Sequence, residues 1–325
     1  MREKLLEVLA EPTTGASLRL EATRGKGDRI EEGRLVSEVT GKSYPIVRGI
    51  PRFVESEGYT GSFGKQWNLF REVQLDGSTG GKHSVERFDA EAGWTSEELR
   101  DRWVLDAGCG AGRFSEVVAA RGPNLVSLDY SSAVEAAART VERFPNVDVV
   151  QASLLDPPLR QGVFDYAYCI GVIQHTPDPP AVVRNVVKVV KPGGKFSLTI
   201  YARQPWTKLN TKYLIRPLTK RMPQQVLLRA IEGVMPVAFP LSDVLFKAPV
   251  VGRIGRFVLP VANYHRPGYT RQQRYQEAVL DTFDMLSPQY DSPMTAGEVE
   301  SELRTVRART WNFRTRVPVN VVGER

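Results

Sequence analysis

Two acids and three glycines define the chemistry this chain is equipped for. In Val104-Leu-Asp-Ala-Gly-Cys-Gly-Ala-Gly-Arg113 a short apolar run ends in Asp106, and Gly108, Gly110 and Gly112 follow; in Val126-Ser-Leu-Asp129 a second apolar run ends in another acid. A glycine-dense turn lets backbone approach a ligand closely, because a side chain there would stand in the way. An acid closing the second strand of such a unit can accept both hydroxyls of a ribose. The spacing is G-x-G-x-G, not the G-x-G-x-x-G that aims a helix N-terminus at a pyrophosphate. Asp106, two residues before the first glycine, would repel a pyrophosphate and suits a cationic ligand carrying an amino group.

These residues need a strand, a tight turn, a helix and a second strand to position them. Apolar runs predict strands over 102–106, 125–129, 147–151, 164–169 and 195–200, with helices near 112–121, 132–143 and 179–190. Pro192-Gly-Gly194 reads as the turn after the last of these helices. Alternation of strands and helices implies parallel pairing.

The glycine run and its downstream acid closely resemble the first two motifs of class I S-adenosylmethionine-dependent methyltransferases, of the type 11 or UbiE-like group. The resemblance continues in Val150-Gln-Ala-Ser-Leu-Leu-Asp156, in Phe164-Asp-Tyr-Ala-Tyr-Cys-Ile-Gly-Val-Ile-Gln-His-Thr-Pro-Asp178, and in Val189-Val-Lys-Pro-Gly-Gly-Lys-Phe-Ser-Leu-Thr-Ile200. It covers about a third of the chain in the family's order. It implies an α/β fold: a Rossmann-like seven-stranded sheet with helices on both faces, whose last two strands are expected over 306–311 and 317–322. S-adenosyl-L-methionine is the implied cofactor and S-adenosyl-L-homocysteine the product. Asp106 and Gly108 are then expected at the methionine end, Gly110 and Gly112 in the turn, and Asp129 on the ribose. Tyr130 is expected over the adenine, Ser153 and Leu154 beside it, Ile170 as a backbone contact, and Gln66 as a contact from preceding helices.

Residues 1–56 form a small β-rich unit that resembles a zinc ribbon of the Trm112 type. The positions matching its four metal-binding cysteines read Glu11, Thr14, Ser37 and Thr40, so no metal is expected, and apolar packing of Leu5, Leu9, Leu35, Tyr44, Ile46, Ile50 and Phe53 is expected to hold it. The other expected segments are a helical lid or linker at 57–100, the cofactor-binding core at 101–202, a helical insertion at 203–290 and the last strands at 291–325. With 325 residues the chain can bury a full core. Its two cysteines, Cys109 and Cys169, fall in apolar segments and suit a reducing compartment. The charged start, Met1-Arg-Glu-Lys, does not read as a secretory leader, and no apolar run is long enough to span a bilayer. Cytoplasmic placement is expected, with peripheral contact at the inner face of the membrane.

Charge is concentrated in the insertion. Between Arg203 and Arg274 stand 13 Lys or Arg and 2 acids, Glu232 and Asp243, a net +11 against +7 for the whole chain, so the remainder is net −4. The basicity therefore speaks of that region's partner. Methyl transfer from a sulfonium is an in-line displacement in which the protein supplies positioning, and a hydroxyl acceptor gains from a general base. His175, just beyond the fourth predicted strand, is the leading candidate base; Tyr264 and His265, in an aromatic patch of the insertion, come second. The favoured acceptor is a small molecule, anionic or lipid-linked: a hydroxyl of a sugar, natural product or lipid-linked metabolite. RNA methylation through the basic insertion and membrane-associated lipid or quinone methylation are the alternatives. Nucleic acid is less favoured, because Cys169-Ile-Gly-Val-Ile-Gln stands where base-amine methyltransferases often carry an Asn/Asp-Pro-Pro-Tyr/Phe motif.

Overall fold

A computed structural model describes residues 1–54, 75–264 and 268–325. Eleven strands run along these residues: β1 (Leu18–Lys26), β2 (Arg29–Ser37), β3 (Ser43–Val47), β4 (Ile50–Pro51), β5 (Trp103–Ala107), β6 (Asn124–Asp129), β7 (Val147–Gln151), β8 (Phe164–Ile170), β9 (Val190–Ile200), β10 (Thr310–Arg316) and β11 (Val319–Glu324). The helices used below are α1 (His83–Glu91), α2 (Ser96–Leu99), α3 (Arg113–Ala119), α4 (Ala133–Val141), α5 (Pro179–Lys188), α6 (Thr211–Thr219), α7 (Gln224–Leu245), α8 (Pro249–Val258), α9 (Arg271–Leu286) and α10 (Ala296–Thr305). They divide into two compact units. Residues 1–54, 83–202 and 290–325 belong to the first; residues 75–82 and the described part of 203–289 belong to the second.

The first unit is built on a seven-stranded sheet in the order β10-β11-β9-β8-β5-β6-β7. β9, β8, β5, β6 and β7 pair in parallel, and β11 runs against both β9 and β10. This is the Rossmann-like seven-stranded arrangement expected from the sequence, with a separate small antiparallel sheet β1-β2-β3-β4 before it. The period-two alternation of the central strands explains the two cores. Leu105, Ala107, Val126, Leu128 and Val150 face one way, onto α5 and α10, and Val104, Leu125, Val147 and Val149 face the other, onto α1, α3 and α4. Parallel strands covered on both faces need apolar residues throughout.

Two local readings differ from expectation. The strand expected over 306–311 starts at Thr310, because α10 runs to Thr305 and Arg307 turns the chain at φ +55°. Pro192-Gly-Gly194 does not separate helix from strand. It lies inside β9 as a bulge between the pairs Phe164–Val190 and Tyr166–Lys195, with Gly193 at φ +78°.

The N-terminal sheet packs into the same unit as the large one. Arg2 forms a buried pair with Asp148 on β7 at 2.8 Å, and the Ala10 amide donates to the Pro158 carbonyl at 3.0 Å. Leu5, Leu9, Leu35, Tyr44, Ile46 and Ile50 are buried, and the Phe53 ring packs on Tyr44 at 4.6 Å. Glu11, Thr14, Ser37 and Thr40, from two loops, meet at one carboxylate: Glu11 accepts from Thr14 Oγ1 at 2.5 Å, Ser37 Oγ at 2.8 Å and Thr40 Oγ1 at 2.5 Å. The Thr14 bond foremost, then the Thr40 bond, hold Glu11 below the usual carboxylate range against its desolvation.

In the second unit Leu227, Ile231, Met235 and Phe239 of α7 pack on Ala278, Val279, Phe283 and Leu286 of α9. The buried Arg216 of α6 donates to the Met285 carbonyl at 3.0 Å and to the Pro288 carbonyl at 2.7 Å. Among the described residues no helix is long and apolar enough to cross a membrane.

The Glu11 cluster makes a prediction with a definite sign. A carboxyl whose folded pKa is depressed contributes stability above its unfolded pKa of about 4.3, and the contribution is lost as pH falls through the folded value. Glu11→Gln should lower Tm at pH 7, with the gap to wild type narrowing at pH 3. Thermal unfolding across pH checks this; a gap independent of pH contradicts it.

Candidate functional site

The glycine turn sits at the carboxyl end of β5. Gly108, Gly110 and Gly112 take φ of +88°, +52° and +85°, a region open to glycine and strained for other residues. The amides of Gly108 and Cys109 both donate to the Leu128 carbonyl, at 2.7 and 3.0 Å, which ties the turn to the end of β6. The glycines also serve packing within the protein, beyond any approach to a ligand. A Cβ on Gly108 would lie 2.5 Å from Cγ1 of Val172, and one on Gly112 would lie 3.3 Å from the Ala137 Cα on α4.

Asp129 closes β6 beside this turn. One carboxylate oxygen accepts from the Gly110 amide at 2.9 Å; the other accepts from the Ser131 amide at 2.9 Å and the Ser131 hydroxyl at 2.7 Å. Burial raises its pKa, and the bonds from Ser131 and Gly110 pull it down again. Half-buried at the strand end, it keeps accepting capacity at the carboxyl edge of the sheet.

Asp106 lies beneath the turn. It is 2% exposed, accepts from Ser115 Oγ of α3 at 2.6 Å, and Ser115 in turn accepts from Ser127 Oγ at 2.9 Å. Through Ser115 it fastens the start of α3 to the end of β5. Burial pushes its pKa up to about 7, with the Asp129 charge adding to the rise and bonds from Ser115 and Tyr168 opposing it.

Tyr130 and Ser153 are half-buried, and Leu154 and Ile170 are buried, all at the carboxyl edge. The Tyr130 carbonyl accepts from Gln151 Nε2 at 3.2 Å, and Ser153 Oγ accepts from the Leu155 amide at 3.1 Å. Asn185 donates to the Leu154 carbonyl at 3.0 Å.

His175 ends the short 3-10 turn Ile173–His175 after β8 and is 6% exposed. Its Nδ1 lies 3.1 Å from the Tyr290 carbonyl, and its ring stands edge-on to Tyr201 at 5.5 Å. A carbonyl only accepts, so Nδ1 carries the proton of the neutral ring and Nε2 is the nitrogen able to take one. Gln174 fastens the same loop, donating to the Gly171 carbonyl at 2.7 Å and accepting from the Tyr201 amide at 3.3 Å. Tyr264 belongs to the second unit and is 55% exposed. Gln66 and His265 lie outside the described residues.

Some positions that shape the site escaped the sequence reading. Arg52 donates to Gln151 Oε1 at 2.6 Å, linking the N-terminal sheet to the end of β7. Arg113 donates to Ser84 Oγ of α1 at 3.0 Å, bracing the start of α3. Gln151, placed last in a predicted strand, was the one visible signal. A cleft of about 490 Å³ lined by Thr13, Asp156, Arg160, Asn185 and Lys188 shares no residue with the turn or Asp129.

Residues 105–198 match the family model described as a methyltransferase domain. Curated relatives named ubiquinone biosynthesis O-methyltransferase include one from Pseudomonas aeruginosa, 32% identical over 136 residues, covering 39% of this chain and 59% of that one. Another, from Xanthomonas euvesicatoria, is 32% identical over 152 residues, covering 45% and 64%. The chain thus spans about three-fifths of the length of the curated relatives it matches. Among solved structures, an S-adenosylmethionine-dependent methyltransferase from Mesorhizobium loti is 27% identical, covering 32% of this chain and 49% of that one, with a TM-score of 0.30. A SAM-dependent methyltransferase from Aquifex aeolicus is 17% identical, covering 44% and 74%, with a TM-score of 0.34.

Asp106 carries a pH signature. Its folded pKa near 7 stands above the unfolded value, so its favourable term is full below about pH 4 and is lost as pH rises through 7. Asp106→Asn, which stays neutral, should gain in Tm relative to wild type between pH 5 and pH 8. A difference that does not move with pH would show that Asp106 titrates as an ordinary carboxylate.

Proposed function

We propose that this chain is an S-adenosylmethionine-dependent methyltransferase that methylates a hydroxyl on a small acceptor, in the cytoplasm or against the inner face of the membrane. The observation that carries the reading is Asp129, held at the carboxyl edge by the Gly110 amide and Ser131, within the stretch matched by the methyltransferase family. The residues suit the cofactor: a left-handed glycine turn with bare main chain, a carboxylate for ribose hydroxyls, and a second acid, Asp106, favouring positive charge. When bound, S-adenosylmethionine supplies a methyl group already activated on a sulfonium, so the protein's part is positioning, exclusion of water and proton handling.

Asp129 would accept the ribose hydroxyls, Tyr130 would lie over the adenine, Ser153 and Leu154 would flank it, and Ile170 would offer main chain. His175, fixed by the Tyr290 carbonyl in the tautomer with its proton on Nδ1, would take the acceptor hydroxyl's proton on Nε2. The names of the matched relatives favour a quinone-like ring on a lipid tail as acceptor, in keeping with the apolar and basic composition of residues 203–274. Tyr264 and His265 are secondary candidates for acceptor contact.

Asp129→Ala removes an ionised acceptor whose hydrogen bonds are worth about 1.5–3 kcal/mol each, so calorimetry should show S-adenosylhomocysteine binding weakened roughly ten- to a hundredfold. Unchanged affinity would remove Asp129 from the site. His175→Ala should lower kcat by about a hundredfold or more on a hydroxylated benzoquinone-type acceptor, while leaving S-adenosylhomocysteine affinity near wild type. Retained turnover would place the base elsewhere.

A further inference from the structure

The helices of the second unit carry more apolar surface than their core uses. On α7, Leu227, Ile231, Met235 and Phe239 are buried against α9. A second stripe, Val226, Val234, Val237, Leu241 and Val244, is between 47% and 71% exposed. Their separations of 8, 3, 4 and 3 residues follow the helical repeat, so they line up over about 27 Å, with Ala230 and Gly233 exposed between them. α8 repeats the pattern: Val250, Val251, Ile254 and Val258 are 52–72% exposed and fall on one side of the helix. Single exposed apolar residues are ordinary; a continuous stripe of β-branched and leucine side chains indicates a partner.

Charge selects which partner. Arg229 and Arg256 are exposed on the same two helices, Arg221 is exposed just before α7, and Lys247 follows α7 with its side chain 62% exposed. Of the two acids in the 203–274 stretch, Asp243 is already paired with Arg274 and Lys247. A second copy of the chain would bring two net +11 segments together, which is repulsive. RNA would engage the cations and leave the valines in water. An anionic lipid surface satisfies both, taking the apolar stripe at the depth of the headgroup–acyl boundary and the cations at the phosphates. Trp206, 55% exposed ahead of α6, is a side chain suited to that boundary. With no described helix able to cross a membrane, these helices would lie on it.

We propose that the exposed stripes of α7 and α8 form a docking face for an anionic bilayer. The inference gives the lipid-linked form of the functional reading a surface, and it is tested without cofactor or acceptor, so the failure of either is a separate result. The full chain is co-sedimented with phosphatidylcholine vesicles with and without phosphatidylglycerol. Bound protein should rise at least about tenfold with the anionic lipid and fall again at high salt. Val237→Glu with Val244→Glu, both at exposed positions, should return binding to the no-lipid background while keeping the wild-type Tm. Arg221→Glu with Arg229→Glu should abolish the preference for phosphatidylglycerol. Wild-type protein left in the supernatant overturns the proposal, as does a valine variant that binds like wild type. So does concentration-dependent self-association, removed by the same valine substitutions, in a protein that ignores vesicles.

Discussion

The carboxylate of Asp129 fastens the turn after β5 to the loop after β6, beside the main-chain bonds from Gly108 and Cys109 to Leu128. One oxygen takes the Gly110 amide of the turn after β5 and the other takes Ser131, at the start of the loop after β6. The turn is thereby set before any ligand arrives, and its entropy of ordering is met in folding. A second acid, Asp106, lies below in a chain with Ser115 and Ser127. Each carboxylate is short of water, and the charge of Asp129 raises the pKa of Asp106. A site built this way stabilises a cation and disfavours an anion, because positive charge relieves both the repulsion and the desolvation.

The chain reaches this edge from several distant points. Arg52, at the end of the N-terminal sheet, holds Gln151, which in turn holds the Tyr130 carbonyl. Tyr290, the first residue of the first unit's last segment, sets the tautomer of His175 from 115 residues away. α1 braces the glycine turn through Ser84 and Arg113. The N-terminal sheet is part of this support: its hydroxyl–carboxylate cluster at Glu11 fixes the loops around residues 11–14 and 37–40, and Thr13 continues the contact to Asp156 at 2.9 Å.

Much of the central sheet was readable before its structure. The runs ending at Asp106, Asp129, Gln151 and Ile170 are short, apolar and bounded by turn residues, so their ends fall within about two residues of expectation. The glycine turn was readable for the same local reason. What was hidden is non-local. That Val172 would fill the space above Gly108 depends on β8 lying beside β5. Four positions at 11, 14, 37 and 40 stand out by their spacing, yet nothing in their types says that one carboxylate would accept from all three hydroxyls. The penultimate strand was displaced because the apolar alternation of Trp311 and Phe313 continues past the segment that looked strand-like, while α10 claims the residues before it. The two faces of α7 were hidden for the same reason: which of its apolar residues pack on α9 and which stand exposed depends on that packing.

The central claim is that a sulfonium nucleoside lodges between the glycine turn and Asp129. Calorimetric titration of the wild-type chain with S-adenosylhomocysteine, paired with a crystal soaked in the same compound, tests it most directly. The account predicts one-to-one binding, with the ribose hydroxyls on Asp129 and main chain of the Gly108–Gly112 turn against the ligand. Absence of heat with an empty edge, or the ligand found elsewhere on the molecule, would contradict it.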